Sequence, residues 1–182
     1  MCGVLGLMSH GPVNQELYDG LQMLQHRGQD AAGIFTTDGQ IFYTHKGQGL
    51  VRDVFRTRNM RDLLGHFGIA HVRYPTAGSR QFETSEETQP FYVNSPFGIA
   101  LAHNGNLVNV QTLIKNIITQ DLRHINTSSD SELLLNVFAH ELEKQIAQGA
   151  LSTEQIFHSV DAVHSRLQGA YAVAVSYTHL RA

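Results

Sequence analysis

Apolar residues recur along this chain with two periods, one that suits strands and one that suits helices. Cys2 to Leu7, CGVLGL, is a short apolar run bounded by Gly and Pro and reads as a strand. Beyond Pro12, Val13, Leu17, Leu21 and Leu24 repeat at helical spacing until the pattern breaks at Arg27 and Gly28. Ala32 to Thr37 and Gln40 to His45 flank Asp38-Gly39, a pair that favours a type I′ hairpin. Val51 to Leu64 predicts short helices, Phe67 to Val72 a further strand, and Tyr74 to Gln89 a long polar loop. Phe91 to Val93 and Gly98 to His103, joined through Asn94, Ser95 and Pro96, make a second hairpin. A helix from Val108 to Ile118 follows. Ser129 with Glu132, and Ser152 with Gln155, have capping-box spacing ahead of apolar helical faces. Gly169 suits a helix C-cap, and Ala170 to Val175 reads as a strand in a sheet interior. Such a strand this close to the C-terminus implies a fragment of something longer.

Composition narrows the class. The 182 residues are 42% hydrophobic and 16% charged, which suits one globular domain with a substantial core. No apolar stretch of about 18 residues is present, and the N-terminus lacks the basic-then-apolar order of a signal peptide, so the expectation is a cytoplasmic protein with no membrane partner. A net charge of −3 offers no positive field for a phosphate backbone, which argues against a nucleic-acid partner. A single cysteine excludes an internal disulfide and a cysteine-rich zinc site. The eleven histidines show no HExxH spacing, so no metal site is expected.

The chemistry therefore turns on Cys2. Removal of Met1 would leave a thiol and a free α-amine on one residue. The amine's usual pKa of about 7.7–8.0 lies close to the thiol's ~8.5, so the amine can take the proton of its own nucleophile. A small buried hydrophobe is the plainer reading of the same residue. Arg73, in HVRYPTAG, ends a strand, where its planar fork would match a carboxylate; a surface arginine is the alternative. Asn104 and Gly105, in AHNGN, can offer a side-chain amide and a close backbone N–H to an oxyanion, or form a turn. Asp130 stands in the first turn of a predicted helix, as a cap or as the partner of a substrate ammonium. Arg27 and Gly28 form either a hinge or an ordinary helix end.

In chain order behind the MCG start, LQHRGQDAAGI, GIAHVRYPTAGS, QPFYVNSPFGIALAHNGNLVN and RHINTSSDSELLLN resemble the N-terminal glutaminase domain of the amidophosphoribosyltransferases. The resemblance covers residues 1–175. Ser176 to Ala182 resembles nothing in the family and reads as an unrelated tail. The resemblance implies an α+β fold, the N-terminal-nucleophile hydrolase αββα sandwich of antiparallel sheets between helices, incomplete at its C-terminus. It also implies that Cys2 is the nucleophile, that Arg73, Thr76 and Asp130 hold L-glutamine, that Asn104 and Gly105 form the oxyanion hole, and that Arg27 and Gly28 belong to a hinge loop. Cys2 directly follows Met1, so the propeptide of some family members is not expected.

The implied reaction is hydrolysis of glutamine to glutamate and ammonia. In a full-length enzyme the ammonia would serve phosphoribosylamine synthesis from phosphoribosyl pyrophosphate in purine biosynthesis. The phosphoribosyltransferase domain for that step, and the Mg²⁺ it implies, are expected to be absent from this chain, which needs no cofactor of its own. A homo-oligomer is implied for the full-length protein. Two alternatives remain at this point: a non-catalytic truncated fragment, and the glutaminase domain of glucosamine-6-phosphate synthase, against which HVRYPTAG argues.

Overall fold

Strand β1 (Gly3–Met8) pairs antiparallel with β4 (Phe67–Arg73), and β4 pairs in turn with β2 (Ala31–Thr37), whose other edge carries β3 (Phe42–Gln48). The second sheet has the order β5 (Phe91–Val93), β6 (Ile99–Leu107), β7 (Gly169–Tyr177), again antiparallel. These elements come from a computed structural model that describes residues 2–74, 86–146 and 151–178.

The period of two along each strand sorts its side chains into layers. In the first sheet Leu5, Leu7, Ala32, Ile34, Ala70 and Val72 pack on one face against Val13, against Leu17 and Leu21 of α1 (Asn14–Leu24), and against α2 (Val51–Val54) and Met60 of α3 (Thr57–Asp62). On the opposite face Val4, Phe35 and Ile69 meet Ala100, Ala102 and Ala174 of the second sheet. The outer face of that sheet, with Ile99 and Leu101, packs on α4 (Val110–Thr119), α5 (Asp130–Ile146) and α6 (Thr153–Arg166). Helices thus cover both outer faces of two stacked antiparallel sheets, which is the αββα order expected from the resemblance. Alanines at the contact between the sheets allow close approach there. No helix among the described residues is long and apolar enough to cross a membrane.

Several sequence expectations change in detail. The first hairpin closes through a four-residue link, with Thr37 opposite Phe42, rather than a two-residue type I′ turn. Asp38 Oδ1 accepts the N–H groups of Gln40 and Ile41, both at 2.9 Å, and this side-chain cap holds the longer loop. The Ser152–Gln155 capping box forms as predicted, with reciprocal bonds of 2.7 and 3.3 Å. The Ser129–Glu132 box does not close in that form. Ser129 Oγ accepts from Ser131 N, while the Glu132 carboxylate accepts from Asn126 and Thr127 further back.

Gly169 caps no helix. It begins β7 opposite Leu107, after α6 has ended at Arg166. Among the described residues strand β7 is also the last of its sheet, not an interior one, and it is half-exposed along its length, so its apolar run reports neither a neighbour on each side nor a covered face. It runs through Ser176 and Tyr177, and Thr178 N–H donates to the Gly98 carbonyl at 2.9 Å. The loop expected over Tyr74 to Gln89 falls largely on residues 75–85, outside the described residues.

Candidate active site

Three of the candidate residues share the faces of the two sheets that look toward each other. Cys2 precedes β1 in register with inward Val4, Arg73 closes β4 in register with inward Ile69 and His71, and Asn104 lies on β6 in register with inward Ala100 and Ala102. Because β1 and β4 are antiparallel, the start of one lies beside the end of the other, with Gly3 opposite Val72. The site therefore sits at one end of the gap between the sheets.

Cys2 is held by its backbone. Its carbonyl accepts Arg27 Nε–H at 3.0 Å and Asn104 Nδ2–H at 2.9 Å. The Tyr74 N–H points to the half-buried Sγ at 3.4 Å. An amide nitrogen carries two hydrogens, so Asn104 can anchor the Cys2 carbonyl with one and retain the other for a developing oxyanion. Asn104 and Gly105 do not form a turn: β6 continues through both residues, with Gly105 opposite Tyr171. A β-carbon at Gly105 would come within 2.3 Å of the Ala170 carbonyl oxygen, so only glycine lets β7 approach at this point.

Gly28 serves close approach in the same way. It follows the 3₁₀ turn Gln25–Arg27, and a β-carbon there would meet the Arg73 carbonyl oxygen at 2.6 Å. The loop is further tied by Asp30 N–H, which donates to the Arg73 carbonyl at 3.1 Å. Arg27 and Gly28 thus bring the end of α1 to both Cys2 and Arg73.

Arg73 is not a surface arginine. Its guanidinium is almost fully buried, with Nη1 donating to Asp30 Oδ2 at 2.6 Å and Nη2 donating to Glu87 Oε2. Glu87 Oε1 in turn accepts Ser128 Oγ–H at 2.8 Å, at the approach to α5. Asp130 begins α5 and faces β6: Oδ2 accepts the Leu107 N–H at 3.0 Å, and Oδ1 lies 3.6 Å from His103 Nδ1. Burial pushes the Asp130 carboxyl up, but His103 and the Leu107 N–H outweigh it and leave the group below the usual carboxylate range. A cleft of about 360 Å³ lined by His26, Gln29, Asp30 and Tyr74 opens beside these groups, next to the partners of both Arg73 and Cys2.

The structure thus joins Cys2, Arg27 and Asn104 directly, and Gly28 to Arg73, while Asp130 enters through β6. Thr76 lies outside the described residues. Sequence reasoning did not single out Asp30, Glu87, Ser128, His71 or His103. His71 and His103 interrupt apolar strands, which is the one signal that could have found them. His103 is buried, with Nδ1 2.8 Å from Ser131 Oγ, and its backbone carbonyl lies 3.1 Å from His71 Nε2 on the facing sheet. Among the described residues no group of three or more His, Cys, Asp and Glu side chains is placed to hold a metal ion.

The glutamine amidotransferase domain family matches residues 79–180, more than half of the chain. This chain belongs to the glutamine amidotransferases. Amidophosphoribosyltransferase of Pseudomonas aeruginosa is 58% identical over 179 residues, covering 98% of this chain and 35% of the relative. Amidophosphoribosyltransferase of Escherichia coli is 53% identical over 173 residues, covering 94% of this chain and 34% of the relative. Among solved structures, the Bacillus subtilis glutamine phosphoribosylpyrophosphate amidotransferase complexed with ADP and GMP superposes with a TM-score of 0.76 at 37% identity, over 97% of this chain and 35% of that one. This glutamine amidotransferase chain thus spans about a third of the length of these relatives.

Proposed function

We propose that this chain hydrolyses the side-chain amide of L-glutamine to glutamate and ammonia, with Cys2 as nucleophile. The observation that carries the reading is the double grip on the Cys2 carbonyl by Arg27 and Asn104, which sets the Cys2 residue beside an amide donor, with the thiol against Tyr74 of the neighbouring cleft. With Met1 removed, the Cys2 α-amine takes the thiol proton and the thiolate attacks the glutamine Cδ. The carbonyl oxygen gains the negative charge and is met by the second Asn104 N–H and the Gly105 N–H. Collapse expels ammonia, which carries away the proton held by the amine, and leaves a γ-glutamyl thioester. Water then adds to the thioester, giving its proton to the same amine, and glutamate departs as the thiolate is regenerated. Arg73 and Thr76 receive the substrate α-carboxylate, Asp130 receives its ammonium, and Arg27 and Gly28 act as the hinge beside the cleft.

The names of the relatives support a place for this activity as the ammonia-supplying half of phosphoribosylamine synthesis in purine biosynthesis. Residues 1–175 would form the glutaminase domain, with 176–182 a tail of unrelated sequence. Phosphoribosyl pyrophosphate and its Mg²⁺ would be handled by a phosphoribosyltransferase domain rather than by residues of this chain, which uses no cofactor. A cytoplasmic setting and a full-length homo-oligomer accompany this reading.

The test is an intact mass spectrum with and without a diazo or chloroketone analogue of glutamine, beside an ammonia-release assay. Loss of Met1 and addition of one label at Cys2 are expected, and Cys2→Ala should remove both label and ammonia release while leaving the melting temperature nearly unchanged. Ammonia release retained in Cys2→Ala would overturn the assignment.

A further inference from the structure

The occupied state of Arg73 conflicts with its assigned task. One guanidinium, almost fully buried, already meets two carboxylates, Asp30 on Nη1 and Glu87 on Nη2. A substrate α-carboxylate arriving at the same fork would set three negative groups around one positive charge, and like charges so close disfavour one another strongly where water is scarce. One of the two resident carboxylates must therefore leave.

The surroundings select which one. Asp30 is fixed through its backbone, its N–H donating to the Arg73 carbonyl at 3.1 Å and its carbonyl accepting Gly49 N–H at 2.8 Å, and it directly precedes Ala31, which pairs with Arg73. With its main chain fixed beside Arg73, its short side chain has one methylene less than that of Glu87 with which to swing clear. Glu87 precedes β5 on a longer side chain, and its other oxygen is fastened by the hydroxyl of Ser128, an exposed residue. Rotation of the Glu87 side chain frees Nη2 without disturbing its backbone neighbours, since Lys46 Nζ holds the Thr88 carbonyl at 2.7 Å and Gln89 Oε1 accepts His103 N–H at 2.6 Å.

We propose that Glu87 is an internal competitor of the substrate carboxylate: it occupies Arg73 in the free protein, fastened by Ser128, and is displaced when glutamine binds. The proposal rests on the glutaminase reading and deepens it. Glu87 then sets the apparent affinity, because part of each binding event is spent on breaking the Arg73–Glu87 contact. It also contributes to specificity, since only a ligand that brings its own carboxylate replaces what Arg73 gives up.

The test is Glu87→Gln, which keeps the shape and removes the charge, assayed on L-glutamine and on L-glutaminamide, whose α-carboxylate is replaced by a neutral amide. KM for glutamine is expected to fall by about three- to tenfold, the net scale of one ordinary hydrogen bond, with no such fall for glutaminamide. Ser128→Ala should lower the glutamine KM in the same direction by less, and serves if Glu87→Gln fails to fold. Calorimetric titration of glutamine into Cys2→Ala and Cys2→Ala/Glu87→Gln reads binding without turnover, and the double variant should bind more tightly. An unchanged or raised glutamine KM in a Glu87→Gln protein that still hydrolyses glutamine overturns the competitor role alone, as does an equal change for both ligands. Absence of glutamine binding in both Cys2→Ala backgrounds overturns the glutaminase reading and this proposal with it.

Discussion

At the scale of single residues, Asn104 carries two duties on one amide nitrogen. Its Nδ2 anchors the Cys2 carbonyl at 2.9 Å, and its remaining N–H is the one assigned to the oxyanion. Asn104→Ala is expected to lower kcat by roughly 10²–10³, as loss of one oxyanion donor does elsewhere, with KM little changed. Steady-state kinetics decides the matter, because a rise in KM alone would make Asn104 a substrate-binding residue and not an oxyanion donor. The sequence singles out Cys2, Arg73, Asn104 and Asp130 as candidates, since each is a residue type whose chemistry stands out beside a strand or helix start, and the structure brings Asn104 onto Cys2. Glu87 and Asp30 are not singled out. An acidic residue in a polar segment carries no mark of its partner, and the ion pairs of Arg73 exist only once residues 30, 73 and 87 meet in space.

Elements were legible where local rules suffice. Helix α6 begins at Ser152 with the reciprocal bonds its sequence predicts, so Ser152→Ala should cost about 1 kcal/mol of stability. Urea unfolding checks this, and the loss should appear in the midpoint without a change in slope. The analogous signal at Ser129 misled because Glu132 found the backbone and side chains of Asn126 and Thr127 instead, a choice made by the path of the preceding loop. Gly169 misled for a related reason. A glycine after a helical pattern looks like a cap, yet here it starts β7, where a β-carbon would lie 2.2 Å from the Asn106 carbonyl oxygen across the strand pair. The edge position of β7 was not legible either, since strand order depends on which partner is present and not on how apolar the run is.

At the scale of the whole molecule, His71 ties the two sheets together and makes their union sensitive to acid. Burial holds its ring down to about pKa 3 against the ordinary 6.5, and Nε2 lies 3.1 Å from the His103 carbonyl across the gap. The folded protein keeps the ring neutral while the unfolded chain binds a proton below about pH 6.5. Stability from this group is thus complete above that pH and falls by about 1.4 kcal/mol per unit as pH drops from 6.5 toward 3. Denaturant melts at pH 7 and pH 5 should show a smaller difference for His71→Gln than for the unaltered chain, and equal differences would remove His71 from the account. The anchoring of Cys2 also bears on folding kinetics. Its carbonyl is bonded to side chains 25 and 102 residues further along the chain, so the reactive geometry is a long-range closure that no local segment can form in advance. The thiol acquires its setting only after both sheets have found their registers, and a nascent or partly folded chain carries the nucleophile without the means to use it.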